Sequence, residues 1–517
     1  MLPVKLRFAL GFLLLPVISF AQFNILNHEV EWMFDEDLSD GDTLLNSNIS
    51  SIENNFVFES LSSDTFRLNS RYSIIDWAFN KNIYSVKRED YTFILNPVFD
   101  IQTGSENYFS TRRGGYARGS IGSKFRWVTS FYENYQSFDP RITNIVRETG
   151  VAPGEAEVKN PAAYFDYSVS SGGFNYDFNK YFNITAGHGK NFIGNGYRSV
   201  LLSDASGNYP FLKSNLKIGK VNYSFLLAEF IDFTNDLIGD GLKRKKYGSF
   251  HYLDVLASKK LKLAFFEAVI WEGDSSARTQ LELNYINPFV ILRPLEYNIG
   301  SPDNMLIGLN GSWDIHKTIN LYGQFILDEL HSSNLINNPT WWANKYGYQS
   351  GLKIHNLPIH DLVIIGEHNT VRPFTYSHKT SGMNYGHNYN ALAHPYGANF
   401  REFLGIFNYR IKRLNINSKL IYIRGGEEVS DSISSGKDIF KPYNNRLYES
   451  GYKIGSGTEY KQLFWDTKLS FILNPKYLLV FEMGYQNRTQ WIGDNKENHY
   501  YLYGGFRTSL LNLYYDY

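Results

Sequence analysis

Two stretches of this sequence gather the residue types that do chemistry. The first, His188-Gly-Lys-Asn-Phe-Ile-Gly-Asn-Gly-Tyr-Arg-Ser, sets Lys190, Asn191, Asn195 and Arg198 among Gly187, Gly189, Gly194 and Gly196, with Asp204 just beyond. Glycines at this density suggest a phosphate loop. However, Lys190 is followed by Asn191 rather than Ser or Thr, and no strand-to-helix context surrounds it. The remaining reading is a constricted loop at a strand end, whose glycines allow close backbone approach and whose polar side chains turn toward an interior space. Arg198 and Asp204 are then either a sugar-gripping pair or an internal salt bridge.

The second stretch runs from Glu367-His-Asn-Thr-Val-Arg-Pro-Phe-Thr-Tyr-Ser-His to Asn384-Tyr-Gly-His-Asn-Tyr-Asn and His394-Pro-Tyr-Gly, and holds four of the 12 histidines, His368, His378, His387 and His394. Imidazoles beside Glu367 suit a metal, but their separations are irregular and no His-x-x-x-His or His-Glu-x-x-His is present, so no metal is expected. Tyr, His and Asn at this density also suit carbohydrate, because rings stack on sugar faces and amides bond hydroxyls. An inward plug is the other reading. Arg372, Tyr376 and Tyr385 from this stretch, with the neighbouring pair Trp341-Trp342, join the first set as candidate polysaccharide-binding residues. The acidic pairs of Trp271-Glu272-Gly273-Asp274 and Asp328-Glu329 lie too close along an extended chain to face each other across a glycosidic bond. No Gly-x-Ser-x-Gly elbow exists either, so no catalytic residue and no cofactor is assigned.

These residues need elements to hold them, and from about Tyr91 onward the texture is strand and turn. Segments of roughly ten residues rich in Phe, Tyr, Leu, Ile and Val alternate with Gly, Asn, Asp, Ser and Pro clusters. Ile319 to Glu329 is the clearest: Ile319, Leu321, Phe325 and Leu327 share one side with Gly323, while Asn320, Gln324 and Asp328 share the other with Tyr322 and Ile326. That pattern fits a strand between lipid and a polar interior. Further strands are expected at Tyr91–Ile101, Tyr116–Phe131, Tyr164–Tyr176, Gly455–Tyr460, Thr467–Leu473 and Leu478–Tyr485. A last one is expected in Arg507–Tyr517, where Leu511, Leu513, Tyr515 and Tyr517 share a parity. The roughly 425 residues from Tyr91, at about 9–11 residues per strand plus loops, make about 16 to 20 strands, an even number, with 18 favoured. Proline-bearing segments at Asp139–Ala163 and Leu292–Met305, and Ser332–Lys345, read as surface loops, folded inward or standing above the rim.

Composition narrows the class. The chain has 517 residues with Lys+Arg 51 against Asp+Glu 51, no cysteine, and 17% aromatic residues, a load that disordered chains do not carry. Zero cysteine excludes disulfide staples, cysteine nucleophiles and thiolate-bound metals, and zero net charge argues against a general nucleic-acid binder. Lys5 and Arg7 precede the apolar run Phe8–Ile18, and Ser19-Phe20-Ala21 offers small residues for cleavage near Ala21. Residues 1–21 are therefore read as a signal peptide, 22–90 as an acidic extension or small periplasmic or plug region, and 91–517 as the barrel. No later apolar run is long enough for a membrane helix, and mean hydropathy is -0.33. A single-chain, all-β outer-membrane barrel of a Gram-negative bacterium satisfies all of this. The basic run Lys243-Arg-Lys-Lys is a candidate contact for lipopolysaccharide phosphates, or an ordinary solvated turn.

Gly187–Leu212, Asn287-Pro-Phe, His368–Tyr376 and His394-Pro-Tyr-Gly-Ala-Asn-Phe-Arg-Glu resemble the Wzi family of outer-membrane capsule-assembly proteins, in the form found in Bacteroidetes, some of which are gliding-motility accessory proteins. The resemblance implies an 18-stranded barrel closed by inward loops that helps attach or organise surface polysaccharide. Enterobacterial members carry a periplasmic helical bundle that Gln22–Val86 does not match. Expected partners are outer-membrane lipid and lipopolysaccharide, surface polysaccharide, the barrel-assembly machinery and, in the alternative reading, motility or adhesin secretion components. A porin or substrate-selective channel is the other alternative, decided by whether the lumen is open.

Overall fold

Strand after strand carries apolar side chains on one parity and polar ones on the other, and the fold turns the apolar parity outward. The structure, a computed structural model, describes residues 28, 48–50, 72–161, 164–232, 243–272, 282–289, 291, 294, 303–329, 336–508 and 512–517. Eighteen antiparallel strands close into a barrel. In chain order these are β1 (Tyr91–Gly104), β2 (Phe109–Ile121), β3 (Phe125–Gln136), β4 (Phe165–Asp177), β5 (Phe182–Gly189), β6 (Tyr209–Ile218), β7 (Val221–Asp232), β8 (Arg244–Ser258) and β9 (Leu261–Glu272). They continue as β10 (Asn304–His316), β11 (Ile319–Glu329), β12 (Lys345–His355), β13 (Leu362–Val371), β14 (Phe400–Ile411), β15 (Leu414–Glu427), β16 (Thr458–Asn474), β17 (Leu479–Ile492) and β18 (Asn495–Thr508).

Leu309, Trp313, Phe325, Leu420, Trp465 and Phe471 stand exposed on the outer wall, while Asn310, Gln324, Asn417, Gln462 and Asp466 are buried inside. This inversion of the soluble pattern belongs to a sheet whose outer solvent is lipid. β11 keeps the bounds and faces expected from its alternation. Connections such as 219–220, 259–260 and 412–413 are tight on one rim, whereas 137–164, 190–208, 372–399 and 428–457 are long on the other. In outer-membrane barrels the short turns face the periplasm and the long loops the exterior. Among the described residues no helix is long and apolar enough to cross a membrane.

Closure is short at the seam. β18 pairs with β1 only over Ile101–Gly104, and the first half of β1 pairs instead with the short strand Tyr84–Lys87. Helix α1 (Ser73–Asn80) lies against the β16–β17 turn, where the Asn474 amide donates to the carbonyls of Ala78 (2.8 Å) and Lys81 (3.0 Å). Of the acidic region before it, His28 is buried in the lumen and Asn48–Ser50 pairs with Asn191–Ile193. The signal-peptide expectation for residues 1–21 lies outside the described residues.

Several expectations are corrected. Tyr116–Phe131 is two strands, because Gly122, at φ +58, makes the β2–β3 turn. Gly455–Tyr460 and Thr467–Leu473 belong with one long strand, β16. Asp139–Ala163 holds a helix, α2 (Pro140–Thr149), with Asp139 accepting from the amides of Arg141 and Ile142 as N-cap and Gly150 left-handed at the C-terminus. Its Ile142 and Val146 are fully buried, so this loop folds inward. The largest correction concerns the last residues. The final strand ends at Thr508, and Asn512–Tyr517 is not a membrane strand but an irregular segment inside the lumen.

The barrel core is therefore made by loops. Val200, Leu201, Leu202, Tyr376, Tyr385, Leu392 and Tyr396 pack against inward wall residues Phe250, Phe266, Ile326, Ile421 and Phe464. Ile326, apolar among polar inward neighbours, is explained by this contact: at about 25 cal/mol per Å², a loop laid on such positions is held by burial that an aqueous pore would not supply.

Candidate functional site

The loop 190–208 is bound to the wall by its backbone. Glu367 on β13 accepts from the amides of Tyr197 (2.9 Å) and Arg198 (3.2 Å), and Gln349 on β12 donates to the Arg198 carbonyl (2.7 Å). Gln324 on β11 accepts from the Val200 amide (2.8 Å) and donates to the Ile193 carbonyl (3.0 Å). Gly196 is required here: a Cβ would stand 2.3 Å from the Glu367 carboxylate. The close backbone approach expected of these glycines is thus made to protein.

Arg198 then enters the centre of the lumen. It does not pair with Asp204; its Nη2 bonds Asp516 at 2.7 Å and Glu402 at 3.2 Å, with all three side chains fully buried. Asp516 also accepts from Lys419 Nζ (2.5 Å) and the Tyr197 hydroxyl (2.7 Å). Burial alone would raise the Asp516 carboxyl, but Arg198 and Lys419 outweigh it and hold the group well below the usual carboxylate range. Asp204 instead accepts from the Tyr514 hydroxyl (2.8 Å) and the Asn512 amide (2.9 Å). Lys190 donates to the Asp204 carbonyl (3.0 Å), and burial pushes its ammonium down against the pull of Asp204 and Glu155. Asn191 approaches the Tyr209 hydroxyl (3.4 Å), and Asn195, half-buried, accepts from Asn310 (3.0 Å).

The second stretch closes over the first. Tyr376 and Tyr385 stack at 5.6 Å, and their hydroxyls donate to the carbonyls of Val200 (2.6 Å) and Leu201 (2.7 Å). Two of the four histidines share Glu402, and the other two have different partners. His368 meets the Glu402 carbonyl, His394 bonds the Glu402 carboxylate (2.8 Å), and His378 lies by Thr380. His387 takes the Ile231 amide (3.0 Å) on Nδ1 and reaches the Asn208 carbonyl (3.1 Å) with Nε2, a neutral tautomer that burial pushes down to about 3.

Trp341, Trp342 and Arg372 form a third group on the long-loop rim. The Arg372 guanidinium donates to the carbonyls of Asn344 (2.7 Å) and Tyr452 (3.3 Å), tying two loops together. Trp342 lies 4.6 Å from the Tyr443 ring, carries Arg446 over its face at 4.0 Å and donates to Glu449 (2.9 Å). Trp341 is half-buried, and Tyr448, on the 428–457 loop, is 66% exposed. The basic run is no free patch: Lys243 pairs with Glu157, Lys245 with Glu229 (2.7 Å), and buried Lys246 bonds Asn384.

Lys419, Glu402, Arg488 and Asp516 are the residues that the sequence reading missed. Lys419 could have been noticed as a cation on the inward parity of Asn415 and Asn417, whereas nothing local marks Asp516.

The closed antiparallel barrel with an apolar outer wall is that of a single-chain outer-membrane protein, and it places the chain in the outer membrane. No family model and no curated protein matches the chain. Among solved structures it is similar to Escherichia coli Wzi, an outer membrane protein involved in group 1 capsule assembly and a carbohydrate-binding β-barrel. The TM-score is 0.51 at 11% identity, over 81% of this chain and 84% of Wzi. It is also similar to Pseudomonas aeruginosa OprD, with TM-score 0.43 and 10% identity over 84% of this chain and 98% of OprD. At these identities the likeness to Wzi is one of fold.

Proposed function

We propose that the protein is a closed, non-catalytic outer-membrane barrel that attaches or organises surface polysaccharide through the aromatic and charged groups of its long-loop rim. The observation that carries this reading is the packed lumen: inward loops bury Val200, Leu201, Tyr376 and Tyr385 completely against the wall, leaving the outer rim as the surface open to a polymer. Trp341, Tyr443 and Tyr448 supply ring faces and Arg446 a cation there, while buried Trp342, packed between Tyr443 and Arg446, and Arg372 hold the loops that carry them. Lys190, Asn191, Asn195, Arg198, Asp204, Tyr376 and Tyr385 act in this reading as the frame beneath that surface, with their polar groups engaged by protein. The carbohydrate binding described for Wzi supports the same role.

A second reading, a gated substrate-selective channel, is favoured by one feature. A polar cavity of about 190 Å³ lies beside Asn512–Asp516, with Arg112, Lys468 and Arg507 facing Asp100, Asp466 and Glu482. Retention of purified host surface polysaccharide by the refolded protein tests the first reading. Retention that falls in the Tyr448→Ala variant supports it. A protein that ignores the polymer overturns it and favours the motility or adhesin accessory role; substrate-dependent ion flow favours the channel.

A further inference from the structure

Asn512–Tyr517 is held in the lumen by side chains of the wall and of the inward loops, not by strand pairing. Asp516 meets Arg198, Lys419 and Tyr197, Tyr514 donates to Asp204, and Arg488 donates to the Tyr517 carbonyl (2.7 Å). No ladder of strand hydrogen bonds anchors it, so it can leave without opening the barrel wall. What it would leave behind is specific. Among the described residues Lys419 has no other carboxylate within ion-pair reach, Arg198 keeps only Glu402, and the fully buried Arg198 Nη1 already has no hydrogen-bond partner.

The place is also reachable from a solvent-sized space. Tyr197, Lys419 and Asp516 line the polar cavity of about 190 Å³, whose other walls carry the stacked rings of Tyr108 and Tyr501 (4.8 Å), the amides of Gln102 and Gln486, and the opposed charges of Arg112, Lys468 and Arg507 and of Asp100, Asp466 and Glu482. Paired cations fit a carboxylate, amides fit hydroxyls, and ring faces fit the apolar face of a pyranose. A sugar acid presents all three.

We propose that Arg198, Lys419 and Tyr197 form a lumenal carboxylate site, that Asp516 is its resident internal ligand, and that a hexuronate takes the same place when Asn512–Tyr517 withdraws. Asp516 occupies the position of the sugar carboxylate, so the segment and the ligand compete. The site is separate from the rim and its occupancy does not depend on the rim binding a polymer.

Isothermal titration of the refolded full-length protein with sodium glucuronate, and with glucose as the neutral control, tests this. Asp516→Ala should bind glucuronate at least ten-fold more tightly than the wild type, with glucose binding unchanged, and adding Lys419→Met should abolish the gain. Asp516→Asn, which keeps the shape of the side chain, should show an intermediate gain and serves if the alanine variant does not fold. Equal glucuronate binding by wild type and the folded Asp516 variant, or a gain that survives loss of Lys419, overturns the proposal. Because polysaccharide retention at the rim is read with Tyr448→Ala, the two readings can fail separately.

Discussion

Arg198 and Asp516 lie 318 positions apart in the chain and 2.7 Å apart in the lumen, both fully buried. A charge pair in such a place is strong against loss of one partner and weak as a net source of stability, since both ions have left water. The pair joins the loop after β5 to the segment after β18, and Glu402 joins both to β14.

Removing only the cation therefore costs more than removing the whole group. Arg198→Met should destabilise the folded protein by about 3–5 kcal/mol, because two buried carboxylates lose their counter-charge. The triple variant Arg198→Met, Glu402→Gln, Asp516→Asn should recover most of that loss. Urea titration of the barrel in lipid vesicles, followed by tryptophan fluorescence, checks both values.

Acid should loosen the inward loops before it touches the wall. His387 is held at about 3 by burial, with Nδ1 accepting a backbone N–H, so the folded state resists a proton that the unfolded loop takes near pH 6.5. Its contribution is intact above pH 6.5 and is lost as pH falls from there toward 3, a loss on the order of 2–3 kcal/mol by pH 4.5. Asp516, also held low, adds a further loss that starts only below about pH 4. Protease nicking within 372–399 should rise between pH 6.5 and 4.5, and His387→Gln should flatten that rise. A profile that stays flat in the wild type contradicts the assignment.

The tyrosine staples are separable from the charges. Tyr376→Phe and Tyr385→Phe each remove one donor to a loop carbonyl while keeping the stacked rings. Each should cost roughly 1–2 kcal/mol, since the Val200 or Leu201 carbonyl is left buried without that bond. Faster amide exchange confined to 199–203, with the strand amides of β11 unchanged, is the expected signature.

At the rim, Tyr448→Ala should lower polysaccharide retention several-fold while leaving the urea midpoint within error, because the side chain is mostly exposed. Trp342→Ala should lower both, as its ring is packed between Tyr443, Phe374 and Arg446.

The sequence was informative where one period dominates. Ile319–Glu329 reads as a lipid-facing strand because alternation leaves no other arrangement for Phe325 beside Gln324 and Asp328. Asn495–Thr508 escaped because its first half, Asn-Lys-Glu-Asn-His, carries no apolar parity, and Phe182–Gly189 because its glycines read as loop. The alternation of Leu511, Leu513, Tyr515 and Tyr517 misled: period two is not unique to a membrane strand, and Asn512–Tyr517 lies in the lumen with Asp516 in a charge cluster. The loop glycines and the residues bordering them were legible, since backbone crowding is local. Their partners were not, because Gln324, Gln349, Glu367, Glu402 and Asp516 come from elements that only barrel closure brings together.

Planar-bilayer conductance of the refolded wild-type protein, with and without purified host surface polysaccharide, tests the closed lumen most directly. The packed loops predict a silent barrel in both conditions. Steady open conductance in the absence of polysaccharide would contradict the closed barrel and make the protein a pore.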